Sequence, residues 1–290
     1  MIKKAIILCG GTGTRMYPTT KSINKQLLPL LDKPMFFYPL SILMLCGIKN
    51  FLFIINKGQK KNFTKIIGPT KDLGINIQYK EQLKPNGLPE AFSLGKKFIG
   101  NDPIIMTLGD NFFYGSMISP LLKKSFNMND GANIYLYPSK NTSSYGVVEL
   151  NKNGTIKKII EKPVFTKSNL VITGLYAFDS NVVSYIKNLK PSLRNELEIV
   201  DLINLYKRKN KLNLIKLGRG TAWMDVGSYE ELYSASSFIK NIEDRQNYKI
   251  GCLEEISFNN KWITKKNILN RIKFNRNSNY SKYLETLIIQ

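Results

Sequence analysis

An α/β fold on an open, mostly parallel sheet is the class this sequence predicts, and three observations predict it. Short β-rich apolar runs alternate with segments of helical periodicity through the first half of the chain. A hairpin pattern interrupts the alternation after Phe126, and the C-terminal third reads as mainly helical. With 290 residues, 43% of them hydrophobic, the chain can bury one substantial core.

The runs Ala5 to Cys9, Phe51 to Ile55, Ile75 to Tyr79 and Ile104 to Leu108 are short and rich in aliphatic and aromatic residues, so they read as strands. Between them, Pro34 to Cys46, Lys60 to Ile67 and Leu88 to Phe98 read as helices, with Pro34 suited to a first turn where its missing N–H costs nothing. The longest apolar stretch, Met35 to Ile48, is broken by Tyr38-Pro39 and is too short to span a bilayer, so it reads as a buried helix. Ala132 to Tyr137, Gly146 to Leu150 and Ile156 to Glu161 follow as strands, the last two joined into a hairpin insertion by the turn Asn151-Lys152-Asn153-Gly154. Val171 to Phe178 is a further strand. Helices near Asn181 to Leu189 and Glu196 to Lys209, a strand at Leu212 to Leu217 and a long helix from Tyr229 to about Ile242 complete the pattern. No internal repeat, low-complexity tract or long linker divides the chain. One α/β unit over residues 1–240 is expected, with 241–290 a helical appendage that is not an independent domain.

The net charge of +22, from 43 basic and 21 acidic residues, raises the question of an acidic partner. The lysines are dispersed singly or in pairs among Asn and Ile, and no block of five like charges or basic–aromatic cluster occurs, so neither nucleic acid nor a membrane is expected as partner. The N-terminal run Ala5 to Cys9 is too short for a secretion signal and is ended by Gly10-Gly11. Cys9, Cys46 and Cys252 are widely spaced among apolar neighbours, as suits reduced thiols in a cytoplasmic protein. The absence of histidine excludes Ser-His-Asp and Cys-His catalysis and His-ligated zinc.

The strongest local signal is the first strand running into Gly10-Gly11-Thr12-Gly13-Thr14-Arg15. Glycines let the backbone turn tightly, successive N–H groups can form a nest for phosphate oxygens, and Arg15 adds a charged fork. A Walker loop would need Gly-Lys-Ser/Thr after the glycines and a dinucleotide fingerprint a third glycine where Met16 stands, so neither an ATPase nor a dehydrogenase fits. Lys25 follows in Lys25-Gln26-Leu27-Leu28-Pro29, and several cations together are what a polyphosphate requires.

These segments, extended by Met16-Tyr17-Pro18, and with them Asp32-Lys33-Pro34-Met35, Gly109-Asp110-Asn111, Phe113-Tyr114-Gly115, Tyr145-Gly146-Val147-Val148, Glu161-Lys162-Pro163, Thr173-Gly174-Leu175-Tyr176 and Trp223-Met224-Asp225-Val226-Gly227, resemble the sugar nucleotidyltransferases over nearly the whole chain, most closely the glucose-1-phosphate thymidylyltransferases. The resemblance implies a Rossmann-like sheet binding nucleotide at the carboxyl ends of its strands, where the strand reading also puts the glycine loop and Asp110. It implies that residues 1–240 form the nucleotidyltransferase domain with its sugar-binding part.

By position, Gly10, Gly11, Thr12, Gly13, Thr14 and Arg15 would cradle the triphosphate of dTTP, Lys25 would contact its phosphates, and Gln26, Gln82 and Gly87 would hold base and deoxyribose. Asp110, in the nucleotide site, and Asp225 would hold Mg2+, which takes one or two carboxylates plus phosphate oxygens and keeps its remaining waters. Asn111, Tyr145, Gly146, Glu161, Lys162, Ile172, Thr173, Arg194 and Trp223 would receive glucose 1-phosphate. The implied reaction is in-line attack of the sugar-phosphate oxygen on the α-phosphorus, helped by Arg15, Lys25 and Lys162. A phosphate monoester is already an anionic nucleophile, so no strong base is needed.

The resemblance further implies a homotetramer in dTDP-L-rhamnose synthesis, inhibited by dTDP-rhamnose at a second site matched by Tyr114, Gly115, Arg219, Cys252 and Glu255, although Asn259-Asn260 stand where a basic residue is common. Other departures are the segment Gln82-Leu83-Lys84-Pro85-Asn86-Gly87, Asn195 after Arg194, Cys9 for a small alanine and Ile172 for valine. The competing readings are a uridylyltransferase using UTP and, from another class, an inactive nucleotide-sugar sensor. Retention of Arg15, Lys25, Asp110, Lys162 and Asp225 together weighs against the sensor.

Overall fold

In the computed structural model, which describes residues 1–128, 130–273 and 276–289, the first apolar run lies in the interior of the sheet. The strands are β1 (Lys4–Cys9), β2 (Pro29–Leu30), β3 (Lys33–Pro34), β4 (Asn50–Asn56), β5 (Asn76–Gln82), β6 (Ile104–Leu108), β7 (Asn111–Tyr114), β8 (Ala132–Pro138), β9 (Gly146–Leu150), β10 (Ile156–Glu161), β11 (Leu170–Phe178), β12 (Leu212–Lys216) and β13 (Ala222–Asp225). Parallel pairing runs β6-β1-β4-β5, and β11 then joins β6 antiparallel, carrying β9-β10 and β8-β12 beyond it. The predicted open, mostly parallel α/β sheet is thus present, extended on one side by the antiparallel strand β11 and the strands beyond it, of which β12 pairs parallel with β8.

Both faces of the sheet's centre are covered, which is why the inner strands β1, β4 and β6 read as continuous apolar runs rather than alternating ones. Ala5, Ile7 and Cys9 of β1 face a layer formed by Phe37, Leu40, Phe63, Ile118 and Leu122, while Ile6 and Leu8 face one formed by Phe92, Ile99, Leu202, Ile203 and Tyr206. The helix Phe37–Leu45 is buried along nearly its whole length, as its all-round apolar sequence requires.

Three local expectations change. Pro34 lies in a short strand, not a helical first turn: β2 and β3 pair around Leu31, whose φ is 62°, Met35 N–H donates to Leu28 O, and the helix begins at Phe37. The segment Leu88 to Phe98 forms two short helices, Glu90–Leu94 and Lys96–Ile99, with Gly95 at the break. Around Asn181 to Leu189 a single helical turn, Val182–Tyr185, tightens into a 3-10 turn.

The hairpin forms as expected. Asn151 N–H donates to Thr155 O at 2.8 Å, Gly154 takes the positive-φ position, and Glu161 is paired with Gly146. The helix Tyr229–Gln246 runs through position 240 without a break, and the helices Leu253–Asn259, Lys265–Ile272 and Asn279–Ile289 follow it. No helix among the described residues is long and apolar enough to cross a membrane, and the three cysteines are free thiols.

Candidate active site

The chain leaves β1 on one side toward β4 and β5 and returns on the other as β6, so a crevice opens between the carboxyl ends of β1 and β6. Gly10 and Asp110 mark its two edges. Gly11 and Gly13 have φ of 99° and 61°, and Gly13 caps the short turn Thr14–Met16, leaving Thr12, Thr14 and Arg15 exposed. The loop is braced from beneath. Asn56, at the end of β4, donates to Gly11 O at 2.8 Å and accepts from Gly11 N–H at 3.1 Å. Sequence reading missed Asn56, whose one signal is an amide side chain closing an apolar strand beside the glycine loop.

Gln26 and Gln82 both pack against Gly10. Gln26 donates to Gly10 O at 3.3 Å, and a Cβ at Gly10 would lie 2.6 Å from Gln82 Oε1. Gln82 is anchored by donating to Glu90 at 2.5 Å. Gln26 Oε1 is buried with no hydrogen-bond partner among the described residues, an arrangement that costs free energy unless a ligand donor reaches it. Gly87, with φ of 103°, presses on the Leu197 backbone, where a Cβ would approach Leu197 O to 2.1 Å.

The two carboxylates come from segments far apart in sequence. β7 and β13 pair antiparallel with Asp225 opposite Asn111, and Val226 N–H donates to Asp110 O at 3.0 Å. Asn111 donates to both Asp110 and Asp225 at 3.2 Å each, while its Oδ1 accepts from Gly174 N–H at 3.0 Å and Trp223 Nε1–H at 2.7 Å. Lys25 lies 2.5 Å from Asp110 and is 9% exposed. Burial, then the charge of Asp110, pushes the Asp225 carboxyl up to about 7. Arg15 reaches into the same cleft and rests on Gly227, where a Cβ would meet its guanidinium at 2.6 to 2.8 Å. Gly227 is held by donating to Glu231 at 2.7 Å.

A cavity of roughly 280 Å³ extends from this cluster, lined by Arg15, Asp110, Asn111, Tyr145, Gly146, Glu161, Lys162, Ile172, Arg194, Trp223 and Asp225. The hairpin delivers several of these at once, because Lys162 N–H donates to Tyr145 O at 3.0 Å and sets the two ends side by side. Lys162 holds a φ of 42°, an uncommon conformation for a lysine that aims its chain at the cleft rim. Tyr145 meets Trp223 edge-on at 5.1 Å. Burial, reinforced by Glu198, raises the Glu161 carboxyl above its usual range.

Two expected contacts are otherwise engaged. Thr173 is fully buried and donates to Tyr135 O at 3.0 Å, so its hydroxyl serves the sheet, not the cavity. Arg194 reaches the cavity but forms a forked pair with Glu198, at 3.1 and 2.7 Å. A second cavity of roughly 590 Å³ is lined by Tyr114, Gly115 and Glu255, together with Asn259 and Asn260. Cys252 is buried behind it against Tyr280, and Arg219 stands beside the lining Gly220 without itself lining the wall.

The donor set at the crevice fits a hard divalent cation. Two carboxylates converge at the edge of a phosphate-type loop, one of them raised by burial and then by its neighbour's charge, and a cation between them would relieve the second. The remaining positions would fall to phosphate oxygens and water.

Comparison with known proteins accords with this geometry. The family model for nucleotidyl transferases matches residues 4–242. The glucose-1-phosphate thymidylyltransferase of Neisseria meningitidis serogroup A is 44% identical over 285 residues, covering 98% of this chain and 99% of that protein. That of Mycobacterium tuberculosis is 40% identical over the same length, again covering 98% and 99%. Among solved structures, a Bacillus anthracis protein provisionally assigned as a glucose-1-phosphate thymidylyltransferase, in complex with a sucrose, superimposes with a TM-score of 0.75 at 36% identity, covering 81% of this chain and 94% of that one. With a model spanning most of its length and relatives of this similarity, the chain belongs to the nucleotidyl transferase family.

Proposed function

We propose that this protein transfers a thymidylyl group from dTTP to α-D-glucose 1-phosphate, giving dTDP-glucose and pyrophosphate, as the first step of dTDP-L-rhamnose synthesis in the cytoplasm. The observation that carries the reading is the convergence of Asp110, Asp225, Arg15 and Lys25 at the mouth of a cavity walled by Glu161, Lys162 and Trp223. Relatives bearing that enzyme's name over nearly the full length support the choice of substrates.

Gly10, Gly11, Thr12, Gly13 and Thr14 offer backbone to the triphosphate, while Arg15 and Lys25 neutralise it. The unsatisfied Gln26 Oε1 can accept an imide N–H of the base, with Gln82 and Gly87 completing that wall. Glu161 accepts from sugar hydroxyls, Gly146 and Ile172 shape the floor, and Tyr145 and Trp223 give the sugar an apolar face. Lys162 and Arg194 bring the sugar phosphate toward a second anion, Arg194 exchanging part of its pairing with Glu198 to do so.

The attacking oxygen then forms a bond to the α-phosphorus as the bond to the β-phosphate oxygen breaks, and the electron pair leaves with pyrophosphate. Charge neutralisation and alignment suffice, because the nucleophile is already anionic. Mg2+ held by Asp110 and Asp225 would supply further charge neutralisation at the reacting phosphate.

The second cavity is proposed as a feedback site for dTDP-rhamnose, with Tyr114, Gly115 and Glu255 in its wall and Arg219 and Cys252 beside it. β7 supports this, because it runs directly from Asn111 at the catalytic end to Tyr114 at the other. A homotetramer is proposed on the family resemblance alone, and light scattering of the purified protein tests it. An unchanged rate at saturating dTDP-rhamnose removes the feedback proposal.

The deciding experiment is pyrophosphate release with glucose 1-phosphate and each of dTTP, UTP, CTP and ATP. We expect dTTP to give the highest kcat/KM and Asp110→Ala to abolish turnover. Preference for UTP would assign a uridylyltransferase, and wild-type turnover by Asp110→Ala would refute the role given to that carboxylate.

A further inference from the structure

We infer that Glu90 is a positioning residue for base selection: it dictates which end of the Gln82 amide faces the nucleotide, and so makes the pocket take a base whose ring nitrogen carries a hydrogen. The inference deepens the base-pocket reading above and rests on it. Gln82 closes β5 and is 6% exposed. Its Nε2 donates to Glu90 Oε2 at 2.5 Å, the one bond its side chain makes among the described residues. The two ends of a side-chain amide are alike in shape, so only a partner that cannot play both parts fixes which is which. A carboxylate is such a partner, because when ionised it accepts and never donates.

With its nitrogen held by Glu90, Gln82 turns its oxygen to the other side, against the glycine loop, where a Cβ at Gly10 would lie 2.6 Å from it. Gln26, which donates to Gly10 O, brings a second amide oxygen, buried and without a partner. The base therefore meets two acceptors. Thymine and uracil bring an N–H at the ring nitrogen between their carbonyls, whereas cytosine brings a lone pair there, which either oxygen would repel. Glu90 is itself delivered from a fixed backbone, since it opens the helix Glu90–Leu94, whose Ala91 and Phe92 are buried in the core. The same carboxylate takes Asn86 Nδ2 at 2.8 Å and Asn86 N–H at 3.4 Å, so one group ties down both Gln82 and the loop that follows it.

The test is base discrimination, measured as pyrophosphate release with glucose 1-phosphate and dTTP, dUTP or dCTP. In Glu90→Leu the Gln82 amide is free to turn over and offer its nitrogen to cytosine. We expect the ratio of kcat/KM for dTTP to that for dCTP to fall about tenfold or more, while the ratio for dTTP to dUTP, which share the ring N–H, stays within about twofold of wild type. Glu90→Gln should restore most of the dTTP to dCTP ratio, because Asn86 N–H keeps an oxygen at the corner where Gln82 donates. An unchanged dTTP to dCTP ratio in Glu90→Leu, even with all three rates lowered together as a merely structural role requires, overturns the inference and leaves the base pocket standing. A ratio in Glu90→Gln as low as that in Glu90→Leu overturns it as well. If Glu90→Leu does not fold, Glu90→Ser, too short to reach Gln82, is read in the same way. A wild-type enzyme with no preference for dTTP over dCTP would instead remove the parent reading of the base pocket, and the inference with it.

Discussion

At the scale of single residues, the site depends on how cations and carboxylates are kept from collapsing onto one another. Lys25 is paired with Asp110, whereas Arg15, exposed at the cleft mouth, forms no ion pair among the described residues and is the freer of the two to meet an incoming phosphate. What aims it is an absence: Gly227 has no side chain, and the guanidinium lies in the space a methyl group would fill. Gly227→Ala should therefore displace Arg15 while leaving the fold intact, because the position does not require a positive φ. We expect kcat/KM to fall about 10- to 100-fold, the loss of one aligned charge in the transition state. The melting temperature should stay close to wild type. A wild-type kcat/KM in that variant would mean that Arg15 is not used where it stands. Arg15, Lys25, Asp110 and Asp225 were all legible as residues, because each sits in a recognisable block. Asn56 and the contacts of Asn111 with both carboxylates were not, since an asparagine declares its partners only after distant strands have met.

At the scale of elements, the alternating apolar runs made β1, β4, β5 and β6 readable, and the Asn-Gly turn made the β9-β10 hairpin readable. β7 and β13 were not. Each has only four residues, and their pairing joins positions more than a hundred apart, which leaves no local periodicity to detect. Pro34 misled for a related reason: the β2-β3 turn is held by long-range partners such as Ser236, whose hydroxyl accepts from Leu31 N–H. A comparable long-range fit joins the loop 82–87 to the loop 192–198. Leu197 N–H donates to Asn86 O at 2.8 Å, and Gly87 abuts the same peptide. Gly87→Ala must tolerate both a positive φ and a clash with backbone that cannot swing away. We expect a loss of at least about 1 kcal/mol in stability by urea denaturation, with the larger consequence in function. The two loops carry the proposed base wall and Arg194, so KM should rise for both dTTP and glucose 1-phosphate. A rise for dTTP alone would show that the loops act independently.

At the scale of the whole molecule, the question is whether the C-terminal helices are a domain or a part of one. Their own cluster is small, consisting of Cys252, Ile263, Ile268, Ile272 and Leu284 with partly buried neighbours, and a segment of that size seldom supplies a sufficient core. Their polar groups are answered from the main body. Ser257 donates to Leu73 O, Asn267 to Asp72, and Arg271 to Ile67 O, while Trp262 packs on Gly74 beneath Lys49. Just before them, Glu243 and Lys249 form a charge cluster with Asp32 and Lys33 of the β2-β3 turn, in which Lys33 and Glu243 are buried, Lys33 only 2% exposed. Removing one member of such a pair leaves a charge stranded, so Lys33→Ala should lose about 3 kcal/mol, less whatever Lys249 recovers for Glu243. The same dependence predicts the behaviour of the isolated segment. A peptide of residues 247–290 would lack the partners of Ser257, Asn267 and Arg271 and would expose Leu253 and Ile256, which the main core buries. Circular dichroism should find little helix at room temperature and no cooperative melt, because short helices without tertiary packing are marginal in water. A cooperative thermal transition in that peptide would make the C-terminal helices an independent domain and would overturn their description as an appendage held in place by the helix Phe37–Leu45 and the turn Thr70–Leu73.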